Sequence, residues 1–181
     1  VPRTVIVRPK AAFYVALGLF CWILERVRDT AAKAATLLGQ YGIGQARHEI
    51  DALFWDDSCD HYIEIVKQRL YQPKKHGTRG KRAAQYALYH ALLSILKLYA
   101  VYVPHITEYI YQSLFRQYEN TVSIHLLRRK RLGTIDANLL AYGTELKQAV
   151  CAMRRYKSAR NQSMKAEIDF LEIQTVSSRV E

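Results

Sequence analysis

The sequence predicts a mainly α protein, an antiparallel helical bundle followed by a small C-terminal helix-plus-strand element. Three observations lead to this prediction. Apolar residues recur at spacings of three and four over long stretches, Gly and Pro separate these stretches, and the last stretch alternates apolar with polar residues. The chain has 181 residues and a hydrophobic content of 50%, enough for one domain with a core. Short connections favour helices that run antiparallel to their neighbours.

Each predicted element is bounded by residues that start or stop regular structure. Gly39 and Gly42 follow the first helix, as glycines commonly do at helix C-termini. Pro73 follows the second helix, and Pro104 must end or kink the third because it removes a backbone donor. Asp136 is suited to cap the fifth. The predicted elements are an extended lead-in (1–10), five helices (11–38, 44–71, 83–102, 105–118 and 136–160) and a strand (166–175).

Two connections are predicted to be irregular. Residues 72–82, Gln-Pro-Lys-Lys-His-Gly-Thr-Arg-Gly-Lys-Arg, read as a basic loop, and residues 119–135 lack helical periodicity. We therefore expect three parts along the chain: a lead-in with the start of the first helix (1–20), a helical-bundle domain (21–118), and a basic connector with the fifth helix and a short strand (119–181).

The second half of the second helix, residues 54–71, has two unlike faces at 100° per residue. The predicted apolar half, which needs burial, comprises Phe54, Trp55, Ser58, Cys59, Tyr62, Ile63, Ile65, Val66 and Leu70. The predicted polar half comprises Asp57, Asp60, His61, Glu64, Lys67 and Gln68. Carboxylates and a His on one helix face can bind a metal, but such sites need matching carboxylates on facing helices. Residues 83–103 contain no Asp or Glu, so we predict a solvated face or a row of salt bridges and no metal site.

The basic residues indicate a polyanionic partner. The formal net charge is +11 and the pI is about 9.7, a balance typical of nucleic-acid-binding proteins, although a solubilising surface is the alternative. A helix would present Arg154, Lys157 and Arg160 along one side, where they can follow phosphates. Tyr71 and Tyr156 could stack on bases, or belong to the core. The candidate RNA-binding residues are Arg154, Arg155, Lys157, Arg160 and Lys165, then Lys74, Lys75, Arg79 and Arg82.

Other classes of function find little support. The sequence contains no Gly-x-Ser-x-Gly, Gly-x-x-x-x-Gly-Lys-Ser/Thr, Gly-x-Gly-x-x-Gly or His-Glu-x-x-His motif, so we assign no catalytic residue and no cofactor to this chain. Three Cys without a Cys-x-x-Cys pair fit a reducing cytoplasm and argue against a disulfide framework or structural zinc. The apolar run 11–24 is too short to span a bilayer, so we expect a core helix and no membrane partner. Because the chain begins with Val1, we expect a processed protein or an excised fragment.

Four blocks, taken in order, resemble the anticodon-binding domain of class I aminoacyl-tRNA synthetases over about residues 20–170. The blocks are Phe54-Trp-Asp-Asp-Ser-Cys-Asp-His-Tyr-Ile-Glu with Lys67-Gln-Arg-Leu-Tyr71, Leu98-Tyr-Ala-Val-Tyr-Val-Pro-His-Ile-Thr-Glu-Tyr-Ile-Tyr-Gln112, Ser123-Ile-His125, and Arg154-Arg-Tyr-Lys-Ser158 through Ser163-Met-Lys-Ala-Glu167. The last two blocks favour the valyl branch over the isoleucyl and leucyl branches. The sequence departs from the family at Ser58, where Phe is usual, at Val101, where Pro is common, and at Arg128-Arg-Lys-Arg131, where Trp-Pro is expected.

The resemblance implies a helical bundle that binds the anticodon arm of a tRNA, of the valine isoacceptor, and positions it for aminoacylation. The family's ATP-binding signatures, His-Ile-Gly-His and Lys-Met-Ser-Lys-Ser, are absent from the sequence. By resemblance, ATP with Mg serves the full-length enzyme, and the catalytic and editing domains of that parent enzyme are partners of this chain. A cytoplasmic monomer is expected. The alternative is a helical interaction module whose basic surface meets an acidic protein or a membrane.

Overall fold

A computed structural model describes residues 3–6, 12–128, 134–163 and 172–175, and side chains within 18–67, 69–72, 77–128 and 134–163. These residues are mainly α-helical, as predicted. The helices are α1 (Ala12–Gly39), α2 (Ile43–Ala52), a π-helix (Leu53–Ile63), α3 (Glu64–Tyr71), α4 (Pro73–Tyr99), α5 (Pro104–Leu114), a 3₁₀ turn (Ile124–Leu126) and α6 (Ala137–Ala159). Two short strands are β1 (Arg3–Ile6) and β2 (Glu172–Thr175). Among the described helices, none has the length and apolar character that a membrane crossing requires.

The chain forms two compact units. The first combines Val1–Trp22 with Asp136–Glu181, and the second is Ile23–Ile135. Helix α1 contributes to both, because the division falls inside it. Compactness does not by itself define a domain that folds independently. The predicted boundaries at residues 20 and 118 therefore remain a prediction.

In the first unit, β1 pairs with β2 in antiparallel register from Arg3–Thr175 to Ile6–Glu172. Strand β2 lies inside the predicted range 166–175. Helix α6 begins as predicted, since the Asp136 carboxylate accepts hydrogen bonds from the backbone N–H groups of Asn138 (3.0 Å) and Leu139 (3.1 Å). The side chain thereby satisfies two donors that a helix start leaves without intrahelical partners.

The packing of the first unit depends on a glycine in α6. A Cβ atom added at Gly143 would lie 1.9 Å from Cδ1 of Trp22, whose indole is buried. Even alanine would therefore displace this ring. The close approach of the indole to the α6 backbone explains why glycine, a weak helix former, stands inside this helix.

One hydrophobic cluster of the second unit lies where α4 meets α5 and the 3₁₀ turn. It consists of Leu93, Leu96, Tyr111, Phe115 and Ile124. Tyr111 is fully buried, and its hydroxyl donates to the carbonyl of Thr121 (2.7 Å). That bond satisfies the polar end of the ring and ties the segment after α5 to the core.

The prediction of a basic loop over residues 72–82 was wrong, because α4 begins at Pro73. Proline is favoured in the first turn of a helix, where its missing N–H has no intrahelical acceptor to lose. Gly77 interrupts the helix with φ 76° and ψ 157°, a conformation that glycine adopts without steric cost. Helical geometry continues on both sides of this kink, so several basic residues predicted to lie in a loop lie on a helix.

The two faces predicted for residues 54–71 are also partly wrong, because residues 53–63 form a π-helix. The side chains that are buried there are Leu53, Asp57, Ser58, His61 and Tyr62. Trp55, predicted to be buried, is 60% exposed, whereas Asp57 and His61, placed on the polar half, are buried. Bonds from residue i to i+5 widen the turn, so buried positions recur every four to five residues instead of every 3.6.

Three buried polar side chains of the π-helix, Asp57, Ser58 and His61, have partners inside the protein, whereas the buried hydroxyl of Tyr62 has none among the described residues. The carboxylate of Asp57 accepts from both Nε and Nη2 of Arg26 at 2.9 Å. The hydroxyl of Ser58 donates to the carbonyl of Leu53 (2.9 Å), which lies five residues earlier. A ring nitrogen of His61 lies 2.6 Å from the carbonyl of Asp56. In the described part of the chain, no three His, Cys, Asp or Glu side chains are placed to hold a metal ion.

Candidate nucleic-acid interface

Helices α3 and α4 pack against each other and carry a concentrated positive charge. The sequence contains no Asp or Glu from residue 65 through residue 107. Arg79 and Arg82 are exposed near the start of α4, and Lys81 between them is half-buried. A surface with several cations and no nearby acid in the sequence produces the positive potential that phosphates seek.

Arg69 of α3 completes this basic cluster, which we define as Arg69, Arg79, Lys81 and Arg82. A Cβ atom added at Gly80 would lie 3.5 Å from Nη1 of Arg69, so the guanidinium extends over the α4 backbone. Partial burial lowers the pKa of Arg69 below its usual range, because desolvation penalises the charged form. The glycine lets a cation from α3 lie directly beside those of α4.

Several basic residues elsewhere in the second unit are paired with acids. Lys33 contacts Asp29 (2.9 Å) and Arg47 contacts Asp51 (3.4 Å). Similar pairs join Arg28 to Glu25 and Lys67 to Glu64, each at 3.2 Å. Within the described residues, Arg79 and Arg82 have no carboxylate partner at ion-pair distance. Their charge is therefore available to an external anion.

The candidate residues on α6 do not form one exposed row. Arg155 and Arg160 are exposed, and the guanidinium of Arg160 lies 4.4 Å from the ring centroid of Tyr156. Arg154 is partly buried, and Lys157 is only 7% exposed. The predicted stripe of Arg154, Lys157 and Arg160 is thus interrupted at its centre, because one helical face carries both surface and buried positions. Lys165 and the side chains of Lys74 and Lys75 lie outside the described residues.

A carboxylate in α5 joins two of the blocks that carried the family resemblance. Glu108 Oε2 accepts from the Ser123 hydroxyl (2.8 Å) and from the Ile124 backbone N–H (3.0 Å). The hydrogen bond from Gln112 contributes most to lowering the pKa of Glu108, and the bonds from Ser123 and Ile124 and the charge of His125 add to it against the effect of burial. Sequence reasoning placed Glu108 and Ser123 in separate blocks and missed this contact, because nothing in the linear spacing pairs them.

Comparison with known proteins identifies the family of this helical domain. The family model described as "Anticodon-binding domain of tRNA ligase" matches residues 21–174. The chain therefore belongs to the family of anticodon-binding domains of tRNA ligases, as the sequence blocks indicated.

Individual relatives are similar over most of this chain. Valine--tRNA ligase of Thermococcus kodakarensis is 34% identical over 159 residues, which make up 87% of this chain and 18% of the relative. Valine--tRNA ligase of Orientia tsutsugamushi is 33% identical over 157 residues, 84% of this chain and 18% of the relative. The corresponding protein of Haloarcula marismortui is 33% identical over 152 residues, 84% of this chain and 16% of the relative. The chain thus spans less than a fifth of the length of these relatives.

Proposed function

We propose that this chain is the tRNA anticodon-arm binding domain of a valine–tRNA ligase, and that it positions tRNA for aminoacylation by a separate catalytic domain. The observation that carries the proposal is the basic cluster on α3 and α4, in a chain whose family is that of anticodon-binding domains. The similarity to valine--tRNA ligases supports the valine isoacceptor as the substrate.

The binding mechanism follows from the charges. Arg79 and Arg82 lie three residues apart on α4 and are exposed. Guanidinium groups donate hydrogen bonds to phosphate oxygens in a fixed planar geometry, which favours contacts to a nucleic-acid backbone. Each phosphate neutralised in this way releases condensed counterions, so binding weakens as salt is added. On α6, Arg155 and Arg160 supply further exposed cations, and Lys157 is omitted because it is buried.

Amino-acid activation is assigned to the catalytic domain of the parent enzyme and not to this chain. ATP with Mg would serve the full enzyme, whereas the two ATP-binding signatures of the family are absent from this sequence. No step of activation or editing is therefore attributed to residues of this chain. The proposal includes a cytoplasmic location, a monomeric state, and the catalytic and editing domains of the parent enzyme as partners.

A salt titration of tRNA binding tests the proposal. The double variant Arg79→Gln, Arg82→Gln should reduce affinity for valine tRNA and make the slope of log K against log salt less steep by about one for each arginine. The matched control is Lys33→Gln, Arg47→Gln, which removes the same charge from two ion-paired positions. We expect the control to keep the wild-type slope. Equal losses in both variants would mean that net charge, and not this cluster, determines binding.

Specificity is measured with an anticodon-substituted copy of the same tRNA. The proposed function requires tighter binding to valine tRNA than to the substituted copy at equal salt. Equal binding to both tRNAs and to an unrelated RNA would instead favour the alternative, a helical module with a general basic surface. Fluorescence anisotropy of labelled tRNA suits both measurements.

A further inference from the structure

We propose that α4 and the segment after α5 form a strip that binds unpaired nucleotides, with arginines contacting phosphates and tyrosine rings stacking on bases. The strip consists of Arg79, Arg82, Tyr86 and Tyr118, and rings of Tyr89 and His90 connect its two tyrosines. This inference rests on the proposed function, since it names the kind of RNA that the basic cluster would hold.

The first part of the strip follows from helix geometry. Beyond the kink at Gly77, Arg79, Arg82 and Tyr86 are spaced by three and four residues, so they share one face of α4. All three are exposed. Tyr86 lies one helical turn, about 6 Å of rise, beyond Arg82. A phosphate contact and a ring surface thus follow each other along the same face.

Ring contacts extend the strip from α4 to the segment after α5. The centroid of Tyr86 lies 4.2 Å from that of His90, which lies 5.2 Å from that of Tyr89. Tyr89 in turn lies 6.2 Å from Tyr118. The last two separations fall in the range of favourable aromatic pairs, and the first is slightly shorter. The four rings therefore form a connected series that reaches Tyr118.

The connecting ring is held in place. The hydroxyl of Tyr89 donates to a carboxylate oxygen of Glu119 (2.9 Å), and its ring packs 5.1 Å from that of Phe115 in the core. Burial, and then the bond to Glu119, raise the pKa of Tyr89 to about 12, so the hydroxyl keeps its proton at neutral pH. Tyr118 is thus presented beside a rigid support, which lowers the entropy lost when it contacts a ligand.

The two tyrosines at the ends of the ring series, Tyr86 and Tyr118, are exposed, unlike the buried tyrosines of this unit. Tyr86 is 62% exposed and Tyr118 is 69% exposed, whereas Tyr62 and Tyr111 are fully buried. An aromatic face beside cations that have no carboxylate partner among the described residues suits a base with its phosphate, because every base has a π-face and every nucleotide carries an anion. Duplex RNA stacks its bases internally, so the tyrosines should favour single-stranded RNA.

The test compares two fluorescein-labelled probes, a single-stranded RNA of about seven nucleotides and an RNA duplex of about twelve base pairs. Only the single strand offers unstacked bases, which stacking on a tyrosine ring requires. Tyr86→Leu, Tyr118→Leu in the full chain should lower affinity for the single strand about tenfold or more, from the usual contribution of base–aromatic stacking. Affinity for the duplex should change by less than about twofold, because the arginines remain. Tyr86→Phe should bind like the wild type, since it keeps the ring.

Tyr109→Leu is the matched control, because Tyr109 is 69% exposed on α5 and has no ring contact with the strip among the described residues. Wild-type affinity for the single strand in the Tyr86, Tyr118 variant, or the same loss in the control, would overturn the inference. Unchanged circular dichroism melting shows that the variants fold. If the tyrosines matter but valine tRNA and its anticodon-substituted copy bind equally, the inference holds and the proposed function fails.

Discussion

The π-helix and the first half of α4 both carry many charged residues, but they use them in opposite ways. In the π-helix, Asp57 is buried and paired with Arg26 of α1. In α4, Arg79 and Arg82 face solvent in a stretch of sequence without acids. The π-helix lies within one of the blocks that resemble the family, whereas the basic cluster on α3 and α4 lies outside the four blocks, apart from Arg69. The residues of a family signature can therefore be structural, while residues that bind the ligand lie in other segments.

Burial decides which use a charge can serve. A buried carboxylate must keep its partner, because an unpaired charge in the interior loses its hydration without compensation. An exposed arginine remains hydrated whether or not a ligand is present, so it can exchange water for phosphate at little cost to the fold. The comparison predicts large stability effects in the first region and large binding effects in the second.

The largest expected effect on stability is at Asp57. Asp57→Ala should lower the free energy of unfolding by about 2–3 kcal/mol, because it removes the buried carboxylate that accepts from Nε and Nη2 of Arg26, whose Nη1 keeps its bond to Asp29 (2.9 Å). Urea denaturation followed by circular dichroism measures this change. Asp56→Ala is the control, since Asp56 is exposed one position earlier and should change stability by less than about 0.5 kcal/mol. Similar losses of stability at both positions would contradict the conclusion that the buried carboxylate of Asp57 stabilises the fold through Arg26.

An intermediate effect is expected at Glu108, where a partly exposed carboxylate joins α5 to the segment 121–127. Glu108→Gln should lower stability by about 1–2 kcal/mol at neutral pH, because hydrogen bonds to a charged acceptor become bonds to a neutral one.

The stabilisation by Glu108 should depend on pH, because its pKa is lower in the folded state. The folded-state pKa of Glu108 is lowered from 4.5, so its contribution is fully present above that value and is lost as pH falls through the folded-state pKa. The stability difference between wild type and Glu108→Gln should therefore shrink in acid. Glu64→Gln, at an exposed ion pair, is the control and should show a small difference at every pH. If the stability difference between wild type and Glu108→Gln stayed constant with pH, the charge of the Glu108 carboxylate could not be its origin.

The smallest effect on stability is expected in the basic cluster. Arg79→Gln, Arg82→Gln should leave the free energy of unfolding within about 0.5 kcal/mol of the wild type, because both side chains are exposed and without carboxylate partners among the described residues. Thermal and urea denaturation both measure this quantity. A loss comparable to that of Asp57→Ala would mean that these arginines stabilise the fold, and the contrast between the two regions would disappear.

Periodicity and end signals in the sequence predicted most of the fold. The predicted helix 11–38 is α1, Ala12–Gly39, and the cap at Asp136 is confirmed. Helix α5 ends at Leu114, four residues before its predicted end, and α4 begins ten residues before its predicted start at residue 83. Both errors are at boundaries, because helix ends depend on packing and on single residues such as Gly77 as well as on apolar spacing.

By itself, the sequence determined the mainly α class, the order of the helices, the excess of positive charge and the family, because periodicity, composition and motif order are properties of the linear chain. Only the tertiary structure decided which charged residues are buried, as Asp57, His61 and Lys157 are, and which remain exposed. It also decided that a run with an apparent helical face would form a π-helix that exposes Trp55. The physical reason is that burial depends on neighbours distant in sequence, such as Arg26 for Asp57, and a helical wheel contains no information about them.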